Sequence, residues 1–355
     1  MKYFKGLKVV ELASVLAGPA VGMFFAELGA QVIKVENRKT GGDMTRHWKV
    51  GTEDPKNSIS AYFSAVNYHK IYTDLDLTQE ADCAKLFTFL SDADVFLNNM
   101  KASSAKKFGL DYESLKQRFP KLIHCELSGF KHDERKVAFD AVLQAETGFL
   151  SINGTKEYPA KLPIAFIDLI AGHQMKEAIL VALLERSKDG KGAHISCSLE
   201  ESALATLTNQ ATNQLMAGIE PSPMGTLHPN IAPYGEIIKT SDGVRFMLAI
   251  GTDKHFIHLC EILKRSDLPA EKEYLDNPAR VQHRNTLHEE LKKSSLLIDS
   301  KTLEEACING SVPVGRIRQI SEVMNTRVAK EMLREEVIEG EATKRLSSIA
   351  FHITR

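Results

Sequence analysis

Residues 7–36 read LKVVELASVLAGPAVGMFFAELGAQVIKVE, and the order of the apolar runs in this stretch decides the fold class. Leu7–Leu12 is a short β-rich run. Ala17-Gly18-Pro19 interrupts it, and Val21–Leu28 is a helix-capable stretch with Met23, Phe24, Phe25 and Leu28 apolar. Gly29 ends that helix, and Ala30–Val35 forms the next strand. The alternation continues with strands near 70–75, 94–97 and 122–126 and helices near 79–90 and 112–118. Strands alternating with helices imply a parallel sheet covered on both faces. The expected class is α/β.

A helix is predicted from Asp168 to about Ser187, with Ile170, Met175, Ile179, Leu183 and Leu184 at roughly helical spacing. Lys188–Gly192 breaks it, Ala193–Ser198 reads as a strand, and Glu200–Met216 is helical again. Between Gly218 and Pro233 the chain is rich in Pro, Gly and Asn, as a linker would be. Tyr234–Thr240 and Val244–Ile250, joined by Ser241-Asp242-Gly243, predict a hairpin opening a smaller α+β domain. Mostly helical sequence follows to the end. The expected domains are 1–200, a linker at 201–227, a small domain at 228–318 and a segment at 319–355 that returns to the first.

With 355 residues, 43% hydrophobic and 26% charged, the chain has the composition of an ordinary globular protein with a substantial core. A net charge of −1 supplies no global field for nucleic acid or anionic lipid, so neither is an expected partner. No apolar run is long enough to span a bilayer and no signal-like N-terminus is visible, which places the protein in the cytoplasm. The five cysteines are scattered without a CxxC pair and read as reduced thiols.

The first strand–helix–strand unit invites a dinucleotide reading, with Glu36 where an acidic residue meets a ribose. Its turn, Ala13–Pro19, carries one glycine instead of G-x-G-x-x-G, so NAD is not an expected cofactor. The carboxyl ends of parallel strands still form the natural ligand site. Arg38, Lys70, Lys101, Lys106 and Lys107 fall near those ends, where cations grip phosphates or simply sit solvated. His255, His258 and Cys260 form an HxxHxC cluster without a second ligand group, and no metal is expected.

Four stretches together resemble the class III CoA-transferase family, the group of formyl-CoA transferase, CaiB/BaiF proteins and α-methylacyl-CoA racemase. They are residues 7–46, ending in VENRKTGGDMTR; 93–130, ending in KLIHCELSGF; 139–207, containing FDAVLQAETGFLSINGT and LPIAFIDLIAGHQMKEAILVALLERSKDGKG; and 228–251 with 312–323, HPNIAPYGEIIKTSDGVRFMLAIG and VPVGRIRQISEV. The resemblance covers about nine-tenths of the chain in the family's order. It implies a Rossmann-like large domain and an interlocked ring homodimer acting on coenzyme A thioesters and small carboxylic acids. It places the catalytic aspartate at Asp168. It places coenzyme A contacts at Val15, Leu16, Ala17, Arg38, Asn99, Met100, Lys107, Phe108, Ser128, Gly129 and Phe130.

Departures from the pattern are equally specific. Leu16 stands where formyl-CoA transferase has a glutamine, which argues against an oxalate-type specificity. Phe139 stands where racemases carry a histidine, removing one of the two bases that epimerisation needs. The family's glycine-rich loop shrinks to Gly225 within Pro223–Pro229, and the matching segments end near Phe351, a C-terminus short for the family. On position alone, Asp168 reads first as the N-cap of its helix, although Ala171 leaves a capping box incomplete. With the resemblance, it is the expected nucleophile of a transferase moving CoA between two acids through an aspartyl-CoA thioester. A helix start is expected to favour its anion. The rivals are an acyl-CoA racemase on the same fold and a non-catalytic acyl-CoA-binding protein.

Overall fold

The computed structural model of the chain describes residues 3–354. Its internal contacts divide it into two compact units. One comprises Met1–Ser151, Lys161–Pro221 and Arg327–Arg355, the other Ile152–Ala160 and Ser222–Thr326.

The first unit is built on strands β1 (Lys8–Leu12), β2 (Gln31–Asn37), β3 (Ile71–Leu75), β4 (Val95–Asn98), β5 (Ile123–Ser128) and β6 (Ala193–Ser198). They form one parallel sheet in the order β3-β2-β1-β4-β5-β6. The order reverses between β1 and β4, which opens a crevice at their carboxyl ends. Successive side chains of a strand face opposite sides, so Val9 and Val10 go to separate cores. Val9 joins Val21, Phe25, Leu97, Ile123, Met175 and Ile179 beneath helices α1 (Ala17–Glu27) and α4 (Phe166–Asp189). Val10 joins Val35, Leu86, Leu90 and Phe96 beneath α2 (Glu80–Ser91). A sheet buried on both faces needs near-continuous apolar strands, and KVVEL and VFLN are such runs.

Helix α1 begins at Ala17, earlier than the Val21 expected from the sequence, and carries Gly18 and Pro19 in its first turn. The first turn has no intrahelical partner for its N–H groups, so a proline there forfeits nothing. Gly172 lets α1 and α4 approach closely: a Cβ on it would lie 3.1 Å from the Ala17 carbonyl oxygen. The residues between β6 and the Pro-rich stretch form two helices, Leu199–Ala205 and Thr208–Ala217. The helical reading of the C-terminal sequence misses a hairpin, Leu333–Ile338 with Glu341–Leu346. Its two-residue turn, Glu339-Gly340, has positive φ at both positions, the geometry whose twist suits a hairpin. Charged residues on both strand faces hid the period-two pattern. The hairpin is tied back by Arg46 to Glu339 and by the Glu27–Arg345 ion pair.

The second unit contains an antiparallel sheet in the order β7 (Tyr234–Lys239), β8 (Arg245–Ala249), β9 (Val314–Arg316). The predicted hairpin is β7–β8, and helices cover its core of Ile238, Phe246, Leu248, Phe256, Leu259 and Leu291. All five cysteines are unpaired. Among the described residues, no helix is long and apolar enough to cross a membrane.

Candidate active site

Asp168 lies in the first turn of α4 and is only 7% exposed. Ala165 occupies the N-cap, with no side-chain capping bond, so the capping reading of Asp168 does not apply. Among the described residues, no hydrogen bond or ion pair reaches its carboxylate. Burial, followed by the charge of Asp140, pushes its pKa from the ordinary 3.8 up to about 7. The expectation of a helix start that favours the anion is therefore reversed. Desolvation and a like charge outweigh the partial charge of the first-turn N–H groups.

Asp140 opens helix α3 (Asp140–Glu146) and is held from two sides. One oxygen accepts the Ile167 backbone N–H at 2.7 Å, and the other accepts Gln144 Nε2 at 2.5 Å. Gln144 in turn accepts the Leu162 N–H at 2.7 Å. These bonds occupy both Asp140 oxygens and fasten the side chain to the residue preceding Asp168. Tyr62 completes the pocket. Its hydroxyl is pushed up to about 12 by burial and by the charges of Asp168, Asp140 and Asp43. Trp48 packs edge-on to Tyr62 at 5.1 Å and lies 6.5 Å from Phe139. The Asp168 carboxyl is thus largely buried beside the like charge of Asp140, which leaves it protonatable near neutrality.

The β1–α1 turn is braced from below. Lys34 Nζ, wholly buried, donates to the Ala13 carbonyl at 2.8 Å and contacts Glu11 at 3.1 Å and Asp43 at 3.0 Å. Lys70 Nζ bonds Glu11 at 2.9 Å, the Pro19 carbonyl at 2.9 Å and Asn67 at 2.8 Å. Burial disfavours both ammonium charges. The carboxylates outweigh it at Lys34, whose pKa is raised, but not at Lys70, whose pKa falls to about 8. Lys70 is therefore a buried brace, neither of the two alternatives its position offered, a phosphate-gripping cation or a solvated surface charge. Glu36 likewise does not face a ribose. Its Oε1 accepts the Asp43 N–H at 2.7 Å, and both its oxygens bind the Arg46 guanidinium.

A cavity of about 420 Å³ lies at the carboxyl ends of β1 to β4, lined by Ser14, Asn37, Leu75, Asn99, Met100 and Phe108 among others. The structure gathers several expected coenzyme A residues here. Asn99 exchanges two hydrogen bonds with Ser14, at 3.3 and 3.1 Å, which ties the β4 end to the turn carrying Val15, Leu16 and Ala17. Lys107 is exposed and lies 5.5 Å over the Phe108 ring. Lys39 and His47 also line the cavity, two basic side chains the sequence reading passed over. Adjacency to Arg38 was the available signal for Lys39. Arg38 itself lines a neighbouring cleft of about 340 Å³ and is paired to Asp74 at 2.8 Å and Asp82 at 3.0 Å. Ser128 and Gly129 end β5, with Ser128 exposed, whereas the Phe130 ring belongs to the core and is 5% exposed.

Other clusters are partly satisfied by their neighbours, although the Nδ1 atoms of His124 and His255 are buried without a partner among the described residues. His124, Glu126 and His194 lie within 4.8 Å of one another, the one group among the described residues close enough to hold a metal ion. His194 already bonds Glu126 at 2.8 Å, and the His124 Nε2 lone pair faces Asn98 Nδ2 at 3.1 Å. His255, His258 and Cys260 do not converge, since His258 Nδ1 bonds the Gly310 carbonyl and Cys260 is buried in the core. In the second unit His228 is fixed by its own turn: its Nδ1 accepts the Asn230 N–H, and its carbonyl accepts Arg284.

Comparison with known proteins agrees with this picture. The family described as CoA-transferase family III matches residues 4–351. A protein of Agrobacterium fabrum (strain C58) named succinate–glutarate CoA-transferase is 38% identical over 325 residues, 90% of this chain and 80% of its own length. The mouse succinyl-CoA:glutarate CoA-transferase is 32% identical over 334 residues, 92% of this chain and 74% of its own. The crystal structure of a CaiB/BaiF family protein from Brucella suis superimposes with a TM-score of 0.82 at 35% identity, covering 99% of this chain and 93% of that one. A parallel sheet with its crevice at the strand ends, a buried carboxyl and a match along almost the whole sequence converge: the chain belongs to CoA-transferase family III and is a CoA-transferase.

Proposed function

We propose that the protein moves CoA between two dicarboxylic acids through covalent intermediates on Asp168. The observation that carries this reading is one carboxyl, largely buried and without a hydrogen-bond partner among the described residues, whose pKa of about 7 leaves a reactive anion available at neutral pH. An Asp168 oxygen attacks the thioester carbonyl, the C–S bond breaks, and CoA thiolate leaves a mixed anhydride behind. The thiolate then attacks the aspartyl carbonyl, expelling the donor carboxylate and leaving an aspartyl-CoA thioester. An oxygen of the acceptor carboxylate attacks that thioester, and the released thiolate takes the new acyl group, restoring Asp168. Covalent capture conserves the thioester energy, and exclusion of water prevents its loss by hydrolysis.

In this reading Asp140 holds the start of α4 and adds to the rise in the Asp168 pKa that burial produces, while coenzyme A lies along the β1–α1 turn and the cavity bounded by Asn99, Met100 and Phe108. Phe139 offers no second base, which disfavours racemisation. The dicarboxylate preference rests on the named activities of the Agrobacterium and mouse relatives. Succinyl-CoA mixed with glutarate should yield glutaryl-CoA and succinate in equal amounts. Exchange of the α-proton in deuterated water without any new thioester would support the racemase reading instead.

We also propose a homodimer. Leu180, Val181 and Leu184 on α4 and Leu215 and Met216 in the helix Thr208–Ala217 are exposed within the single chain. Apolar area of this kind normally marks an association surface. Sedimentation at the mass of two chains is expected, and a concentration-independent monomer contradicts it.

A further inference from the structure

Val15 has φ +72°, a left-handed conformation that a β-branched residue adopts only under constraint. The constraint is visible. Both Asp43 oxygens lie 3.2 Å from the Val15 N–H, and Asp43 is itself over-determined. Its Oδ1 accepts the Thr45 N–H at 3.1 Å and the Thr45 hydroxyl at 2.8 Å, and Lys34 sits 3.0 Å from its Oδ2. Its own N–H is held by Glu36 at 2.7 Å. Lys34 closes the circuit by donating to the Ala13 carbonyl, so the turn is gripped on both sides of Ser14. Burial works against the Asp43 charge, but Lys34 and Thr45 outweigh it and lower its pKa, so the clamp stays anionic.

The turn's position gives the clamp a consequence. Ala17 begins α1 against Gly172 of α4, one turn beyond Asp168, and Ser14 is bonded to Asn99 at the cavity rim. A shift of the turn therefore moves one wall of the cavity relative to the reacting carboxyl. Strained backbone held by a surrounding network is characteristic of sites that need a preset geometry.

We propose that Asp43 is a positioning residue for CoA transfer: by clamping Val15 in the left-handed conformation, it fixes the β1–α1 turn in the form that receives the CoA thioester. The proposal rests on the reading of that turn as part of the coenzyme A site. Asp43 also lines the cavity, and the role proposed for it runs through the backbone of Val15.

A double-mutant cycle tests it. Glycine takes φ +72° without steric cost, so a turn carrying Val15→Gly no longer needs the clamp. Asp43→Ala is expected to raise KM for acyl-CoA about tenfold in the native background. In the Val15→Gly background the same change is expected to raise it less than about threefold. Equal increases in both backgrounds overturn the proposal, because a merely structural loss at Asp43 would be indifferent to residue 15. An unchanged KM for all single variants would instead remove the turn from the coenzyme A site. If Asp43→Ala does not fold, because Lys34 loses a buried partner, Asp43→Asn carries the same comparison with a smaller effect. Asparagine keeps one oxygen for the Val15 N–H.

Discussion

Asp168→Ala should lower kcat for CoA transfer by at least about 10⁴-fold while changing the acyl-CoA dissociation constant less than about threefold. The side chain is the only group in the proposal that forms bonds to substrate, so its loss removes both covalent intermediates at once. It is small, largely buried and without a hydrogen-bond partner among the described residues, so its removal disturbs few contacts. In the proposed function, binding of the CoA moiety falls to other elements, chiefly the β1–α1 turn and the cavity at the ends of β1 to β4. Calorimetric titration of the variant alongside steady-state assays separates the two effects. Transfer within tenfold of the native rate would remove Asp168 from the reaction.

The second large effect is on pH. If the nucleophile is the Asp168 anion, as proposed, its pKa of about 7 makes kcat/KM rise with pH, bend near 7 and level off above about 8. Two pH units below the bend, only about one percent of the plateau should remain. An unperturbed aspartate would instead give a flat profile down to about pH 4. Stability should move in the opposite direction. A carboxyl whose folded pKa exceeds its unfolded value favours folding fully below pH 3.8. That contribution fades as pH rises from 3.8 towards 7 and is gone above it. Ionised Asp168 is thus a destabilising charge at the working pH. Asp168→Asn should stabilise the fold at pH 8 by on the order of 3 kcal/mol and make little difference at pH 4, as urea titrations at the two values would read. Equal midpoints at both pH values contradict a raised pKa. Loss of activity with gain of stability is the behaviour expected where a site is strained for function.

Much of the sheet was legible because burial on both faces leaves a plain record. Runs such as LKVVEL, ADVFL and LIHCE are largely apolar, and each strand of this sheet lies within two residues of its expected place. The start of α1 was not legible, since Gly18 and Pro19 read as a break until their place in the first turn is known. The C-terminal hairpin was hidden by charges on both faces, which are satisfied by tertiary ion pairs such as Arg46 with Glu339. At the site, the chain's likeness to a family pointed to Asp168, but no local signal could give its raised pKa. That depends first on burial and then on Asp140, distant in sequence and brought in through the Ile167 N–H. The roles of Lys70 and Glu36 were not legible for a related reason. Charged residues at strand ends read as ligand contacts, and only packing reveals that Glu11 and Arg46 have claimed them.

The measurement that bears most directly on the whole reading is mass spectrometry of the protein after incubation with acyl-CoA and hydroxylamine. Capture of an activated acyl on the Asp168 side chain predicts a hydroxamate on that residue, present only when acyl-CoA is supplied and absent from Asp168→Asn. An unmodified Asp168 during continuing CoA transfer, or a hydroxamate on a different carboxylate, would contradict it.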